Sequence, residues 1–334
     1  MLIETISTFL LTLLLIWFLK KYASHVGLID IPNARSSHKE ATSRGAGIGF
    51  ILAFFLMIIL FFRELFMQYP WTFMAMFIVF LIGLIDDSVD THPYLKFIVI
   101  IIGTLFLFFD GIMIGSLGEY FGYEMTLGWF ALPFTLFAVV GFTNALNLID
   151  GLDGLAALLS IIIFSAFLWI GVEHNDDFMR IVSLLSMVML LAFLVFNWAP
   201  ASIFMGDSGS LTLGFIVSVL AIKSLAYIPT VSILFLAAVP ILDTVIVMVR
   251  RKLSHRSIVS ADKCHIHHIV YEVMQKKTAK TVLLLGSVQL LYTFFGLQWH
   301  KGSNEVYLLL FFILNVFFLY RLLSWAIEVK KIEC

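Results

Sequence analysis

Long apolar runs, broken at short intervals by polar clusters, set the layout of this chain. They fall near residues 2–19, 45–62, 71–85, 97–109, 129–146, 155–171, 179–196, 211–226, 230–249, 281–297 and 305–323. A helix needs about 20 apolar residues to cross a bilayer. The pattern therefore predicts an all-α integral membrane protein, a polytopic bundle of about 10–11 transmembrane helices. Residues 1–334 are expected to form a single membrane domain. The opening MLIETISTF has no basic lead-in, and Lys20 and Lys21 follow the apolar run, which reads as an uncleaved first span. Segment 110–128, with its Gly, Tyr and Glu, reads as a small hairpin or re-entrant piece.

Composition agrees. With 61% hydrophobic and 13% charged residues the chain lies outside the range of soluble globules. Two cysteines, Cys264 and Cys334, give no disulfide framework. The net charge of −1 says nothing about partners, among which no nucleic acid is expected; its distribution says more. Seventeen Lys and Arg fall in alternate loops, at 20–44, 96, 250–280 and 321–331; Arg63, Arg180, Lys223 and Lys301 are the four on the other side. By the positive-inside rule the N-terminus lies outside and the C-terminus in the cytoplasm. Loops 20–44, 86–96, 144–154, 197–210 and 250–280 then face the cytoplasm, and they hold nearly all the polar clusters.

The first of these is NALNLIDGLDG, in which Asn144, Asn147, Asp150 and Asp153 recur every third residue with Gly151 and Gly154 interleaved. Helical geometry would align the four on one stripe. The glycines point to a helix end or tight turn with converging oxygens. A polar loop between spans is the plain alternative, but bare acids and amides at a bilayer suit a metal or a phosphorylated ligand better.

DDSVD places Asp86 and Asp87 side by side with Asp90 beyond them. Carboxylates this close need a shared proton or cation, and Mg²⁺ bridging to a diphosphate is one solution. FMGDSGS sets Asp207 between glycines before an apolar run, with Phe204 and Asn197 upstream. Its small residues suit phosphate at a helix start, although Asp207 could simply cap the helix. Cys264, His265, His267 and His268 follow a basic run containing Arg250, Arg251, Arg256 and Lys263. No second pair at zinc-finger spacing exists, so phosphate binding is the favoured reading over mere attraction to anionic lipid. The first loop supplies Arg35, His38, Lys39 and Arg44, and Asp243 lies inside the ninth run.

DDSVD, NALNLIDGLDG, FMGDSGS and HIHH, in that order, resemble the bacterial polyprenyl-phosphate N-acetylhexosamine-1-phosphate transferases of the MraY/WecA/TagO superfamily (glycosyltransferase family 4). HIHH and PNARSSH are more similar to the WecA/TagO branch. The resemblance departs at Gly45-Ala46-Gly47, where a Gly-Gly pair is frequent, and at Ser43, where Pro is frequent. It implies an inner-membrane enzyme with a cytoplasmic site and a Mg²⁺ or Mn²⁺ requirement. Its substrates would be undecaprenyl phosphate and a UDP-N-acetylhexosamine, UDP-GlcNAc first, and a homodimer is compatible with it. The products would be undecaprenyl-diphospho-sugar and UMP, initiating cell-surface polysaccharide of O-antigen or teichoic-acid type.

The resemblance makes Asp207 a metal ligand with Asn147 beside it. It makes Asp86, with Asp87, the group that deprotonates the lipid phosphate. Asp150 and Asp153 would contact nucleotide or metal, and Phe204 would stack on uracil. Lys39, Asn144 and Asn197 complete the substrate contacts. Arg251, His265, His267 and His268 would hold the diphosphate. One-step transfer and a covalent aspartyl intermediate both fit the sequence. An ion-coupled transporter is the reading from another class, but its site would lie near the midplane between repeated halves. A dolichyl-phosphate transferase of the same superfamily would differ only in lipid and compartment.

Overall fold

Each predicted apolar run is helical in the computed structural model, which describes residues 1–23, 27–30, 42–89, 91–253 and 264–332. Among these residues the helices are α1 (Leu2–Tyr22), α2 (Ala46–Phe61), α3 (Arg63–Gln68), α4 (Pro70–Val89), α5 (Pro93–Leu107), α6 (Ala131–Leu148) and α7 (Leu155–Glu173). They continue as α8 (Asp177–Asn197), α9 (Asp207–Ser224), α10 (Ser232–Leu236), α11 (Ala238–Leu253), α12 (Ile266–Val273), α13 (Thr278–Gly296) and α14 (Glu305–Lys330). Among the described residues, eight helical segments are long and apolar enough to cross a membrane. The shorter α2, α9 and the broken pair α10–α11 account for the remaining three runs. The chain is thus a polytopic helical membrane protein.

The bundle is organised around α9. Its residues Ser208 to Leu220 are all buried, because α2, α4, α6 and α7 pack around it. Without a hydrophobic drive between helices in lipid, close approach depends on small residues, and three glycine contacts make it here. A Cβ on Gly83 of α4 would sit 2.5 Å from the Asp207 carbonyl oxygen; one on Gly47 of α2 would meet Gly209 N at 2.2 Å. A Cβ on Gly214 would lie 2.8 Å from Thr143 Cα of α6. Each contact lies about one turn from a site residue: Asp87 follows Gly83 by four positions, and Asn147 follows Thr143 by four. Gly83→Ala should therefore force α4 off α9, at a cost of about 1–3 kcal/mol. A lower unfolding temperature in detergent together with reduced turnover is the expected result.

The break at Ala237 has a local cause. Pro240 has no N–H to give the Leu236 carbonyl four residues back. Gln289 of α13 makes good the loss, its Nε2 donating to Leu236 O (2.8 Å) and its Oε1 accepting from Val239 N (2.9 Å).

At the end of the bundle away from Asp207, segment 110–128 forms the expected hairpin, β3 (Ser116–Tyr120) with β4 (Tyr123–Thr126). The buried Glu305 carboxylate holds it near α10 by accepting from Thr230 N and Val231 N. Gly118, at φ 98°, leaves no room for a Cβ beside that carboxylate. A two-residue pair, β1 (Ile29–Asp30) with β2 (Thr42–Ser43), brackets the first loop. Cys264 is disulfide-bonded, and Cys334 lies outside the described residues.

Candidate active site

The polar clusters converge because helix ends converge. α4 ends at Val89, and α9 begins at Asp207, whose first N–H groups have no partner within the helix. Asp87 supplies one: its carboxylate accepts from Asp207 N (2.7 Å), Ser208 N (3.1 Å) and Ser208 Oγ (2.5 Å). Asp87 is 3% exposed, so these bonds occupy a nearly enclosed carboxylate. Gly206 carries a left-handed φ of 76°, and a Cβ there would press on Asp87 at 2.6 Å. The preceding segment is pinned from the other side. Phe204 N donates to Ser43 O, while the Phe204 and Met205 carbonyls accept from Ala46 N and Gly47 N at the start of α2.

Asp207 and Asp86 are joined by a residue that motif reading passed over. Lys96 Nζ of α5 lies 2.7 Å from Asp86 Oδ2 and 2.5 Å from Asp207 Oδ2. The other Asp86 oxygen accepts from Thr91 N and Thr91 Oγ1. Asn147, in the last turn of α6, donates through Nδ2 to Asp207 Oδ1 (3.0 Å) and Ser210 Oγ (2.8 Å). Four helices, α4, α5, α6 and α9, thus place Asp86, Asp87, Lys96, Asn147 and Asp207 in contact. The sequence signal for Lys96 was slight, a lone lysine near the start of an apolar run.

α6 stops at Leu148, and residues 149–154 form a turn that ends on Gly154 at φ 79°. Asp150 sits in that turn. Burial first, then the charges of Asp207, Asp87 and Asp153, pushes its pKa well above the usual carboxylate range. Asp86, Asp87 and Asp207 bring three carboxylates around the single ammonium of Lys96. A cluster of oxygens with surplus negative charge suits a hard divalent cation.

Asp153 and Asn197 brace the turn: Asp153 Oδ2 accepts from Ala201 N (2.9 Å). Asn197, 4% exposed, accepts from Gly154 N and donates to Ile203 O. Asn144 lies on α6 one turn before Asn147, and Arg251 in the last turn of α11. Lys39 lies outside the described residues, as do Arg35, His38, Asp90, Arg256 and Lys263.

The histidines belong to a helix, not a loop. His265 is the N-cap of α12, with His267 and His268 in its first turn. The His267 and His268 rings lie 4.2 Å apart. His267 reaches the 149–154 turn, where a Cβ on Gly151 would come within 2.8 Å of its Nε2. Asp243, His265 and His267 are the group among the described residues whose ligand-type atoms all lie within 4.8 Å of one another.

Comparison with known proteins agrees with the motifs. The family model described as glycosyl transferase family 4 matches residues 69–225, the stretch containing Asp86, Lys96, Asn147 and Asp207. A Bacillus subtilis (strain 168) protein called "Probable undecaprenyl-phosphate N-acetylglucosaminyl 1-phosphate transferase" is 31% identical over 322 residues, 92% of this chain and 87% of that protein. An Escherichia coli (strain K12) protein called "Undecaprenyl-phosphate alpha-N-acetylglucosaminyl 1-phosphate transferase" is 31% identical over 332 residues, 95% of this chain and 89% of its own length. A Salmonella typhi protein of the same name is 32% identical over 333 residues, again 95% and 89%. With relatives this similar along nearly its whole length, and with its acidic motifs meeting at one end of the bundle, the chain belongs to glycosyl transferase family 4, in the WecA/TagO-like branch of the polyprenyl-phosphate N-acetylhexosamine-1-phosphate transferases.

Proposed function

We propose that the protein transfers N-acetylglucosamine-1-phosphate from UDP-GlcNAc to undecaprenyl phosphate at the cytoplasmic face of a bacterial inner membrane. The observation that carries the reading is the Asp86–Lys96–Asp207–Asn147 contact at the helix ends. The names of the relatives supply the transferred N-acetylglucosamine 1-phosphate and the lipid. In the reaction a lipid phosphate oxygen attacks the sugar-bearing phosphorus of the UDP-sugar. The P–O bond to the other phosphate breaks, and UMP leaves with that oxygen. Every reactant is anionic, so the site must neutralise charge and align the two phosphates.

Lys96 contributes a fixed positive charge between two carboxylates. Asp207 and Asn147 would hold a Mg²⁺ or Mn²⁺ ion, which when bound offsets charge on the diphosphate oxygens. Asn147 turns its Nδ2 toward Asp207 and Ser210, leaving its Oδ1 as the atom able to face a cation. Asp86 takes the proton of the lipid phosphate. Asp87 acts through Asp207, whose backbone it fixes, and so positions the ligand rather than reacting. Phe204 stacks on uracil, and Asp150, Asp153, Asn144 and Asn197 shape the nucleotide pocket with Lys39. Arg251, His265, His267 and His268 hold the diphosphate.

Purified protein incubated with undecaprenyl phosphate, Mg²⁺ and a panel of UDP-sugars should release UMP with UDP-GlcNAc and yield a lipid of the corresponding mass. Ion or solute flux in proteoliposomes with no UMP release would establish a transporter instead. Asp86→Asn should lower turnover by about 10²–10⁴-fold, the range for losing a positioned acid–base group, with UDP-sugar binding retained. A change confined to sugar-nucleotide affinity would remove Asp86 from the proton-accepting role.

A further inference from the structure

Asp243 stands in the apolar stretch AVPILDTVIV, one turn after the Pro240 break, and is completely buried. An enclosed carboxylate without partners costs several kcal/mol, so the bonds it makes account for its presence. They all go to the histidine motif. Oδ2 meets His265 Nδ1 at 2.5 Å; Oδ1 meets His267 Nδ1 at 3.2 Å and accepts from His267 N at 3.3 Å. A carboxylate can only accept when ionised, so each ring carries its proton on Nδ1 and turns its Nε2 edge away. His267 Nε2 is buried and makes no hydrogen bond. It faces Gly151, in the turn that bears Asp150 and Asp153.

Shared metal ligation explains this trio poorly. Nitrogen and oxygen ligands of one ion, each about 2.0–2.2 Å from it, sit about 3 Å or more from one another. The 2.5 Å separation of His265 Nδ1 and Asp243 Oδ2 is that of a direct hydrogen bond. The carboxylate anchors the two rings, and Nε2 is the nitrogen that His267 has left for a ligand.

We infer that Asp243 is a positioning residue for the transfer reaction. From inside α11 it clamps His265 and His267 by Nδ1, so that His267 Nε2 meets a phosphate oxygen bound against the 149–154 turn. This rests on the function proposed above. Asp243 touches no substrate and acts through His267. Gly151 belongs to the same device, because any side chain there would fill the gap that Nε2 faces.

A double-mutant cycle tests it. Asp243→Asn keeps the volume but turns an NH₂ toward one Nδ1–H, so one ring must rotate or change tautomer. Asp243→Asn and His267→Gln should each lower kcat/KM on the order of 100-fold, as when a carboxylate that orients a working imidazole is lost. The double variant should fall no more than about 3-fold below the worse single one, because both remove the same interaction. Asp243→Glu should recover part of the activity by restoring a carboxylate; were Asp243 mere packing, this larger side chain would be at least as damaging as Asn.

Thermal unfolding identifies folded variants. Should Asp243→Asn not fold, the cycle is run with Asp243→Ser, which also removes the carboxylate, and His267→Gln, to be read the same way. Losses that multiply in the double variant, or an Asp243→Asn enzyme within about 3-fold of wild type, overturn the assignment. A wild-type protein that releases no UMP overturns the proposed function itself, a separate outcome.

Discussion

Asp207→Asn should reduce product formation on the order of 10³-fold or more, the scale seen when a preorganised charge contact is removed from a reacting centre. The protein should still insert and unfold cooperatively. The carboxylate now has Lys96 Nζ on one oxygen and Asn147 Nδ2 on the other, at 2.5 Å and 3.0 Å. An amide cannot accept on both sides. If its oxygen faces Lys96, its NH₂ faces the NH₂ of Asn147; if it turns over, its NH₂ faces an ammonium. Either way a donor opposes a donor, and the charge that would hold a divalent ion is gone. Backbone bonding is untouched, because Asp87 grips the main-chain N–H groups of residues 207 and 208. Purified variant with UDP-GlcNAc, lipid phosphate and Mg²⁺ gives the measurement. Near-wild-type UMP release would take Asp207 out of the charged centre.

Lys96→Met should lower kcat/KM by about 10²–10³-fold. The side chain stays long and packs similarly, but Asp86 and Asp207 lose the cation they share. Two carboxylates about 4 Å apart repel by up to about 4 kcal/mol at an effective dielectric near 20, so one of them takes up a proton. Raising Mg²⁺ separates two roles for Lys96. If it only screens the acids, excess divalent ion restores turnover. If the ammonium also meets the diphosphate, KM for the UDP-sugar stays high at every Mg²⁺ concentration. Unchanged kinetics at low Mg²⁺ would sink both.

Much of the architecture is legible without coordinates, because hydrophobicity and helical period are local properties. The eleven apolar runs became helices, and the Gly- and Tyr-containing segment 110–128 became a hairpin. The glycines of NALNLIDGLDG did mark a helix end, with Gly154 in the left-handed region. Boundaries were less accurate where polar residues extend a helix. α11 runs to Leu253 and carries Arg250 and Arg251, and α12 takes up histidines expected in a loop.

Within the site, motif reading named Asp86, Asn147 and Asp207 but passed over Lys96, whose partners lie 10 and 111 positions away. It paired Asp87 with Asp86 as chemically alike, whereas a difference of one position on α4 turns Asp87 to the start of α9 and Asp86 to Thr91 and Lys96. Asp243 stood out in the sequence only as an acid inside the ninth run, with no partner named; its link to His265 and His267 crosses more than twenty residues.

Residue order alone was sufficient to establish a many-spanning helical protein whose acids, amides and histidines gather around alternate breaks between its apolar runs. Those conclusions need only the free energy of moving apolar groups out of water and the placement of basic residues beside spans. Which carboxylate meets which cation was settled by how closely helices approach, and that depends on contacts between distant positions. Gly83 lies against Asp207 and Ser208, and Gly214 against Thr143. Because a glycine admits a neighbouring backbone where a Cβ would clash, those contacts bring Asp87 and Asn147 to Asp207, and no local pattern encodes the distance.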